Sequence, residues 1–228
     1  MITDLKPKAK VAIDRFPLDP YCRLYLPLRH LDGDSFMSKD AYGHVCTRHA
    51  DAHWTPQGWS LDGVGDYLSV PTHRALDIAD AITIEAWIYK NSEAGNIYQR
   101  IVQKGNANQA YGLTLEGTAT LKARFYLSGA DTAFVLQTNF QYDNWKHAVT
   151  TYDSHYVRGY VDGVNVYTST DQNSAIGITT NHLQIGRRGD ALAITYFNGL
   201  IGLVSIYNRA LTPQESSEHY LVGKELFT

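Results

Sequence analysis

A cluster of metal-binding residue types lies between His44 and His53. Imidazole, thiolate and carboxylate groups are zinc ligands, and this stretch also contains Cys46, His49 and Asp51. In an extended strand His49, Asp51 and His53 would share one face. Their spacing fits no structural zinc pattern, so surface histidines beside a half-buried cysteine are the favoured interpretation. The sequence therefore predicts no dedicated zinc site here.

Paired carboxylates suited to glycoside hydrolysis are missing from the predicted strands. Such enzymes place two carboxyl groups on either side of the scissile bond, whereas Glu85 and Glu116 each stand alone and Asp153 ends a strand. The close acidic groups fall in a turn and on a predicted helix: Asp32 with Asp34, and Glu215 with Glu218. The sequence also contains no Gly-x-Ser-x-Gly, phosphate-loop or His-Glu-x-x-His motif. We therefore expect a protein that is not an enzyme.

The composition limits the class of partner. Apolar residues make up 44% of the 228 positions, enough for the core of one large all-β domain. The formal net charge of −3 gives no global field that would attract nucleic acid or an anionic membrane. No apolar run has the length of a membrane span, and the first residues show no signal-peptide core. We expect neither nucleic-acid binding nor membrane insertion.

Two cysteines, Cys22 and Cys46, lie far apart in the sequence. They would pair in an oxidising compartment. Two free, half-buried thiols are the favoured interpretation.

Alternation with a period of two predicts β-strands from Tyr21 onward. In ITIEAWIYK the apolar residues of 82–88 share one face, and ARFYLSG follows the same pattern. Asp162-Gly163 predicts a hairpin turn between Val161 and Val164. Asp62-Gly63, ahead of Tyr67-Leu68, predicts a second turn of the same kind.

The chain is predicted to contain one domain, residues 21–228, preceded by an extended N-terminal arm, residues 1–20. Lysines in the arm alternate with small apolar residues, and three prolines discourage regular structure. The stretch TPQE at 212–215 has the capping hydroxyl, proline and glutamate of a helix start. This helix is predicted to run to about Val222, where Gly223 can end it.

Six stretches in register resemble the laminin-G-like group of the concanavalin A-like lectin/glucanase superfamily, whose fold is a pentraxin-like jelly roll. They are LYLPL, LDGVGDYLSVP, ITIEAWIY, NWKHAVTTYD followed by YVDG, LQIGRR, and FNGLIGLVSIYNRALTPQE. The resemblance covers residues 21–222. It implies an all-β jelly-roll sandwich of two antiparallel sheets with one short C-terminal helix. It also implies a binding fold more often than an enzyme. The segment DGDSFMSKDAYGHVCT is similar to laminin-G-like proteins of tailed viruses and environmental genomes.

The resemblance implies Ca²⁺ as the cofactor. In the pentraxin-like arrangement, one ligand loop precedes the strand matching YGLTLE and another follows the strand matching LQIG. These loops are 104–109 and 186–190 here, and Asn106, Asn108 and Asp190 are the predicted metal ligands. Arg187 and Arg188 stand where that arrangement has acidic or amide residues, which disfavours a divalent ion.

Aromatic and basic side chains provide the predicted ligand-binding set. A sugar packs its C–H face on an aromatic ring, and tyrosine also suits protein interfaces. The predicted ligand-binding residues are Tyr98, Tyr111, Tyr196, Arg187 and Arg188. The two arginines would favour an acidic sugar, although a solvated basic turn is the favoured interpretation of that loop.

Two functions from different classes stay open. The first is a non-catalytic module that recognises glycans or a protein surface. The second is a structural decoration protein of a virion or another assembly, in which residues 1–20 contact capsid or other assembly proteins. A glycoside hydrolase is a third hypothesis that lacks its carboxylates. The first two place the protein on a virion or extracellular surface and allow a homo-oligomer.

Overall fold

The computed structural model describes residues 19–91, 97–106, 109–117, 119–190 and 195–227. Within these ranges the chain forms sixteen β-strands and one α-helix, α1 (Pro213–Lys224). The strands are β1 (Cys22–Leu26), β2 (Ser35–Met37), β3 (Val45–His49), β4 (His53–Thr55), β5 (Gly58–Asp62), β6 (Tyr67–Val70), β7 (Ile82–Lys90), β8 (Tyr98–Lys104), β9 (Tyr111–Glu116), β10 (Thr120–Leu127), β11 (Ala130–Gln137), β12 (Trp145–Tyr152), β13 (Val157–Val161), β14 (Val164–Thr168), β15 (Leu183–Ile185) and β16 (Asn198–Tyr207). The predicted arm falls outside the described residues except for Asp19 and Pro20.

The strands form two antiparallel sheets of eight strands each. Sheet A has the order β14-β13-β12-β7-β16-β5-β4, with β1 also paired to β16. Sheet B has the order β11-β10-β9-β8-β15-β6-β3-β2. The predicted jelly-roll sandwich with one C-terminal helix is confirmed. None of the helices in the described ranges has the length and apolar character of a membrane span.

The core lies between the two sheets because alternate residues of the facing strands are apolar. Ile84 and Ala86 of β7 in sheet A belong to the same buried cluster as Leu121, Ala123 and Phe125 of β10 in sheet B. Burying one such leucine or phenylalanine side chain stabilises the fold by about 1.5–3 kcal/mol. The period-two alternation predicted for both segments is confirmed, and it fixes which side chains face outward.

The two predicted Asp-Gly turns have different outcomes. Asp162 and Gly163 adopt φ of 50° and 75° between β13 and β14, as a two-residue hairpin requires. Asp62-Gly63 instead carries the chain from β5 in sheet A to β6 in sheet B, so the hairpin prediction is wrong there. The Asp62 carboxylate accepts the backbone N–H groups of Val64 and Gly65 at 2.8 and 3.2 Å. The same local turn chemistry thus serves a crossing between sheets.

Both cysteines are free and fully buried, in separate places. Cys46 lies between the sheets, and Cys22 lies on the outer face of sheet A. The favoured prediction of free thiols is confirmed, but both thiols are buried and not half-buried as predicted. Burial, reinforced by Asp40, raises the pKa of the Cys22 thiol to about 12, which makes it a poor nucleophile at neutral pH.

Helix α1 covers the outer face of sheet A. Its predicted start is confirmed, because Thr212 and Glu215 form a capping box. Its predicted end is wrong, since Gly223 lies inside the helix. A Cβ at Gly223 would lie 2.4 Å from Nε1 of Trp87. This glycine therefore lets the helix approach the sheet closely instead of ending the helix.

Gly223→Ala is expected to lower the free energy of unfolding by about 1–2 kcal/mol, because the overpacking cost exceeds the gain in helix propensity. Chemical denaturation measures this change. Gly65→Ala is the matched control, since its Cβ would meet its nearest atom at 3.7 Å. A Gly223→Ala variant as stable as the wild type would contradict the close helix–sheet contact.

A buried carboxylate lies beneath α1. Glu85 accepts hydrogen bonds from Ser205 Oγ at 2.6 Å and pairs with His147 Nε2 at 2.7 Å and with His219 Nδ1 at 3.1 Å. Burial opposes ionisation of Glu85, but the two histidines outweigh burial and hold its pKa well below the usual value. Burial likewise opposes a charged His219, and Glu85 reverses this and raises the histidine pKa. The cluster fastens the helix to the sheet.

Candidate functional site

The outer face of sheet B is polar, unlike the outer face of sheet A beneath α1. Successive strand pairings place one row of residues across it. Its members are mainly small, hydroxyl, amide or basic, and in order they are Ser35, Thr47, Ser69, Gln184, Gln103, Gly112, Arg124 and Ala133. We call these residues the polar row. In the described part of the chain, no helix packs on this face.

In the middle of the polar row, Gln184, Gln103 and Gly112 form a low surface that we call the floor. Gln103 and Gln184 are 4% and 5% exposed although they point away from the core. A Cβ at Gly112 would lie 2.5 Å from Gln103 Oε1, so the amide of Gln103 lies directly against the glycine backbone. Larger side chains at position 112 would fill this space.

Two buried polar atoms on this face have no hydrogen-bond partner among the described residues. They are Gln103 Oε1 and Arg100 Nε, an acceptor and a donor on the same strand. Leaving such a group unpaired costs about 1–3 kcal/mol, and buried polar groups in folded proteins nearly always have a partner. Both atoms are buried, so they are unsatisfied groups beneath this face and not groups that a surface ligand contacts directly.

Tyr67 carries a stack at one end of the floor. The guanidinium carbon of Arg187 lies 3.5 Å from the centre of the Tyr67 ring, and His49 stacks on the same ring at 4.1 Å with an interplanar angle of 3°. Both contacts are too close to share one face, so the two groups sandwich the tyrosine. Burial, then Arg187 and His182, lowers the pKa of His49, which keeps this histidine neutral at neutral pH.

Arg187 is held in one orientation. Its Nε donates to Gln184 Oε1 at 3.2 Å, and its Nη1 donates to the Tyr196 hydroxyl at 3.3 Å. A planar guanidinium suits stacking and paired hydrogen bonds at the same time. Its Nη2 donates to no atom of the described residues. Arg187 thus connects the polar row to two tyrosine rings and keeps a donor for a ligand.

An ionic network lies at the other end of the floor. Glu116 accepts from Lys122 Nζ at 2.8 Å and Arg124 Nε at 2.7 Å, with Arg100 Nη1 at 3.4 Å. Arg124 also pairs with Asp131. Burial disfavours the charged carboxylate, yet the hydrogen bonds from Arg124 and Lys122 lower the pKa of Glu116 to about 2. Three cations against two carboxylates leave this end positive.

The structure brings together only part of the predicted ligand-binding set. Arg187 and Tyr196 meet at the stack, and Tyr98 lies 39% exposed where β8 begins. Arg188 turns to Asp190, with Nε 2.8 Å from the carboxylate. Tyr111 is 1% exposed and its hydroxyl donates to the Leu76 carbonyl at 2.9 Å. Tyr111 is therefore a core residue, because its ring points between the sheets where no surface ligand reaches it.

Sequence reasoning missed several residues of this face. The missed members are Tyr67, His49, Gln103, Gln184, Gly112 and Arg124. Their juxtaposition depends on the pairing of β6, β15 and β8, which are remote in sequence. A signal was available for Tyr111, because it shares its strand parity with the apolar Leu113 and Leu115.

The two predicted calcium loops do meet, since the Gly189 N–H donates to the Gly105 carbonyl at 3.3 Å. Two of their side-chain oxygens serve other partners. Gln109 Oε1 accepts from the Asn106 backbone N–H at 3.0 Å, and Asp190 pairs with Arg188. Asn108 lies outside the described residues. The donors that are described do not fit a Ca²⁺ site, which needs several oxygens free to converge, and the calcium assignment stays a prediction.

The ammonium group of Lys104 donates hydrogen bonds to oxygen atoms beside the two loops. Lys104 is 1% exposed, and its Nζ donates to Thr72 Oγ1 and to the Thr179 carbonyl at 3.0 Å each. Its Nζ also lies 3.6 Å from Asp77. A fixed positive charge beside the two loops would repel a divalent ion.

The residues between His44 and His53, for which the sequence predicts no dedicated zinc site, are dispersed. Ala50, with φ of 56°, turns the chain between β3 in sheet B and β4 in sheet A. The expectation that His49, Asp51 and His53 share one strand face is therefore wrong. Cys46 points into the core while His49 stacks on Tyr67. Searched over the described residues, the chain shows no group of three or more His, Cys, Asp or Glu suited to a metal.

Several solved structures share this fold. The binding domain of botulinum neurotoxin serotype G superposes with a TM-score of 0.69 at 14% identity, over 88% of this chain and 51% of that one. Trypanosoma rangeli sialidase in complex with sialic acid gives 0.68 at 17%, over 90% and 33%. Domain 4 of AbnA, a GH43 extracellular arabinanase from Geobacillus stearothermophilus, in complex with arabinotriose, gives 0.64 at 14%, over 86% and 97%. At these identities the likeness shows the fold alone. This chain spans about half of the toxin domain and a third of the sialidase.

The sequence comparisons identify the family. A comparison with curated protein sequences gave no significant match. The Laminin_G_3 profile, described as the concanavalin A-like lectin/glucanases superfamily, matches residues 62–215, well over half of the 228 residues. The chain therefore belongs to the concanavalin A-like lectin/glucanase superfamily.

Proposed function

We propose that this protein is a non-catalytic carbohydrate-binding module that binds its glycan on the outer face of sheet B. The observation that carries the proposal is the Tyr67–Arg187 stack beside Tyr196, at the edge of a floor made by Gln184 and Gln103. Both faces of the Tyr67 ring are covered, so the stack holds the Arg187 guanidinium in place, and the guanidinium and the amides supply hydrogen bonds.

The chemistry of this face suits sugar hydroxyls. Each hydroxyl donates once and accepts twice, so vicinal hydroxyls pair well with planar amide and guanidinium groups. Arg187 is part-exposed and offers such a guanidinium. The neighbouring folds lend support, because two of those proteins were solved with sialic acid and arabinotriose. The positive end of the floor favours a glycan that carries a carboxylate.

The proposal excludes hydrolysis at this face. A general acid for glycoside cleavage needs a carboxyl group with a raised pKa. The pKa of Glu116 is lowered to about 2 by its cationic neighbours, and Asp131 is paired with Arg124. Glu116 is therefore ionised, and both carboxylates orient the basic side chains that they pair with.

A glycan array on the full chain, run with calcium and then with a chelator, tests the proposed function. We expect glycan binding that is equal under both conditions, because Asp190 already pairs with Arg188 and the Lys104 ammonium lies beside the two loops. A blank array with folded protein would overturn the carbohydrate-binding proposal. Signal lost on chelation would instead support the calcium prediction and move the site to loops 104–109 and 186–190.

Display on a virion or another extracellular surface, contacts of residues 1–20 with capsid or other assembly proteins, and a homo-oligomer all stay predictions. Residues 1–18 lie outside the described part of the chain. Asp19 is described and pairs with Arg209 through two hydrogen bonds. A truncated protein that tests the arm should therefore lack only residues 1–18 and keep Asp19.

A further inference from the structure

A cleft lies away from the polar row. It is bounded by β1, by the segment that precedes β7 and by the residue that follows β16. Its volume is about 460 Å³, within the range of about 300–1,000 Å³ that is typical of small-molecule sites. Its polar lining consists of Arg23, Tyr42, Arg74, Asp77, Asp80 and Asn208. The cleft shares no residue with the proposed glycan-binding face.

Several groups in this cleft are available to a ligand. Arg74 is exposed, and neither it nor the Asp80 carboxylate has a hydrogen bond or ion pair with any other described side chain. Arg23 uses Nη1 for the Tyr42 hydroxyl at 2.5 Å and the Pro20 carbonyl at 3.2 Å, which leaves its other N–H groups. The Asp80 carboxylate is the acceptor that the cleft offers, since Asp80 is exposed. The cleft thus presents guanidinium donors and a carboxylate acceptor to a ligand.

Tyr42 gives the cleft an aromatic wall. The residue is 40% exposed, and its ring packs on His44 at 5.6 Å with an interplanar angle of 20° and on His73 at 5.6 Å. The Arg23 hydrogen bond fixes its hydroxyl. A ring that is both held and part-exposed presents apolar surface at small entropic cost.

The charges of the cleft are balanced. Among the residues that line the cleft, Arg23 and Arg74 offset Asp77 and Asp80. Lys104 lies 3.6 Å from Asp77 but is 1% exposed and does not line the cleft. An anionic ligand would meet the two carboxylates and a cationic ligand the two guanidinium groups, so the lining selects a neutral molecule. Paired donors and acceptors around an aromatic wall match a molecule with several hydroxyl groups. We infer that this cleft is a second carbohydrate site that takes a neutral sugar residue.

Ligand-observed NMR with a panel of neutral methyl glycosides tests this inference, with the methyl glycoside of glucuronic acid as the charged comparator. The proteins compared are the wild type, Asp80→Asn, Arg74→Gln and, as control, Glu218→Gln on α1. Exposed positions 74 and 80 should tolerate these changes with little effect on stability. We expect neutral glycosides to bind the wild type and the control, and either cleft substitution to weaken that binding about tenfold, the effect of losing about 1.4 kcal/mol.

The outcomes separate this site from the proposed glycan face. Binding of neutral glycosides that persists in Arg187→Ala but is lost in Asp80→Asn supports the second site, whatever the fate of the first. Neutral binding that is unchanged in both cleft variants would overturn the inference. So would a wild type that binds none of the neutral glycosides, or one that prefers the glucuronide in a manner sensitive to position 80.

Discussion

Glu85→Ala is expected to lower the free energy of unfolding by about 3–5 kcal/mol, because it removes one partner from a buried ionic cluster. The Glu85 side chain is 1% exposed and contacts His147, His219 and Ser205. Without the carboxylate, the hydroxyl and both imidazoles lose their shared acceptor, and a charged His219 stays buried without its counterion. Equilibrium denaturation in urea, with the wild type at the same pH, measures the loss.

Asp34→Ala is the matched control for a carboxylate. Asp34 pairs with Arg48, but its side chain is 84% exposed. Exposed pairs contribute about 0–1 kcal/mol, so this substitution should barely change the denaturation midpoint. If Glu85→Ala were no more costly than Asp34→Ala, the cluster would not be what fastens α1 to sheet A.

The same cluster sets a pH window for stability. The pKa of Glu85 is lowered by folding, so its contribution is present above the ordinary value of 4.5 and is lost as pH falls toward the folded value. The pKa of His219 is raised, so its contribution is complete below the ordinary value of 6.5 and is lost as pH rises through the folded value. His219→Gln should remove the alkaline part of this dependence and reduce the acid part, because His219 is the largest influence that lowers the pKa of Glu85.

Arg187→Ala is expected to weaken glycan binding about 10–100-fold, since truncating a central arginine anchor commonly costs about 2 kcal/mol or more. The substitution removes the cation stacked on Tyr67 and the hydrogen bonds to Gln184 and Tyr196. Arg187→Lys should rescue little, because an ammonium cannot stack and donate in parallel as a guanidinium does. Titration calorimetry with the glycan selected on the array gives the affinities.

Arg158→Ala provides the control for this loss. Arg158 also lies over a tyrosine, 5.3 Å from the centre of Tyr156, but it belongs to β13 in sheet A. Its substitution should leave glycan affinity unchanged. Equal affinity in Arg187→Ala and wild type, with both proteins folded, would place the glycan elsewhere on the molecule.

Local patterns in the sequence predicted the elements and the fold. Alternation located β7 and β10, the Thr212 capping box located the start of α1, and the six family stretches gave the sandwich. These patterns are local or shared across the family, so they can be read from the sequence without knowing which residues pack together. Gly223 shows the limit, because only contact with Trp87 reveals why a glycine is needed inside the helix.

The candidate site was less accessible to sequence reasoning. Arg187 and Tyr196 were predicted from their loop and strand positions. The position of Tyr67 beside Arg187, in contrast, depends on the pairing of β6 with β15. The role of Gly112 depends on a neighbouring strand whose register no single sequence specifies. Tyr111 shows a different failure, since its parity with apolar neighbours already indicated the core.

Hydrogen–deuterium exchange on the full chain, with and without the glycan selected on the array, tests the central claim most directly. A ligand that binds the folded state slows the openings of the elements it contacts. We predict slower exchange in β6, β8 and β15 when the protein is saturated with glycan. Unchanged exchange in all three strands of a saturated complex would contradict a glycan site on the outer face of sheet B.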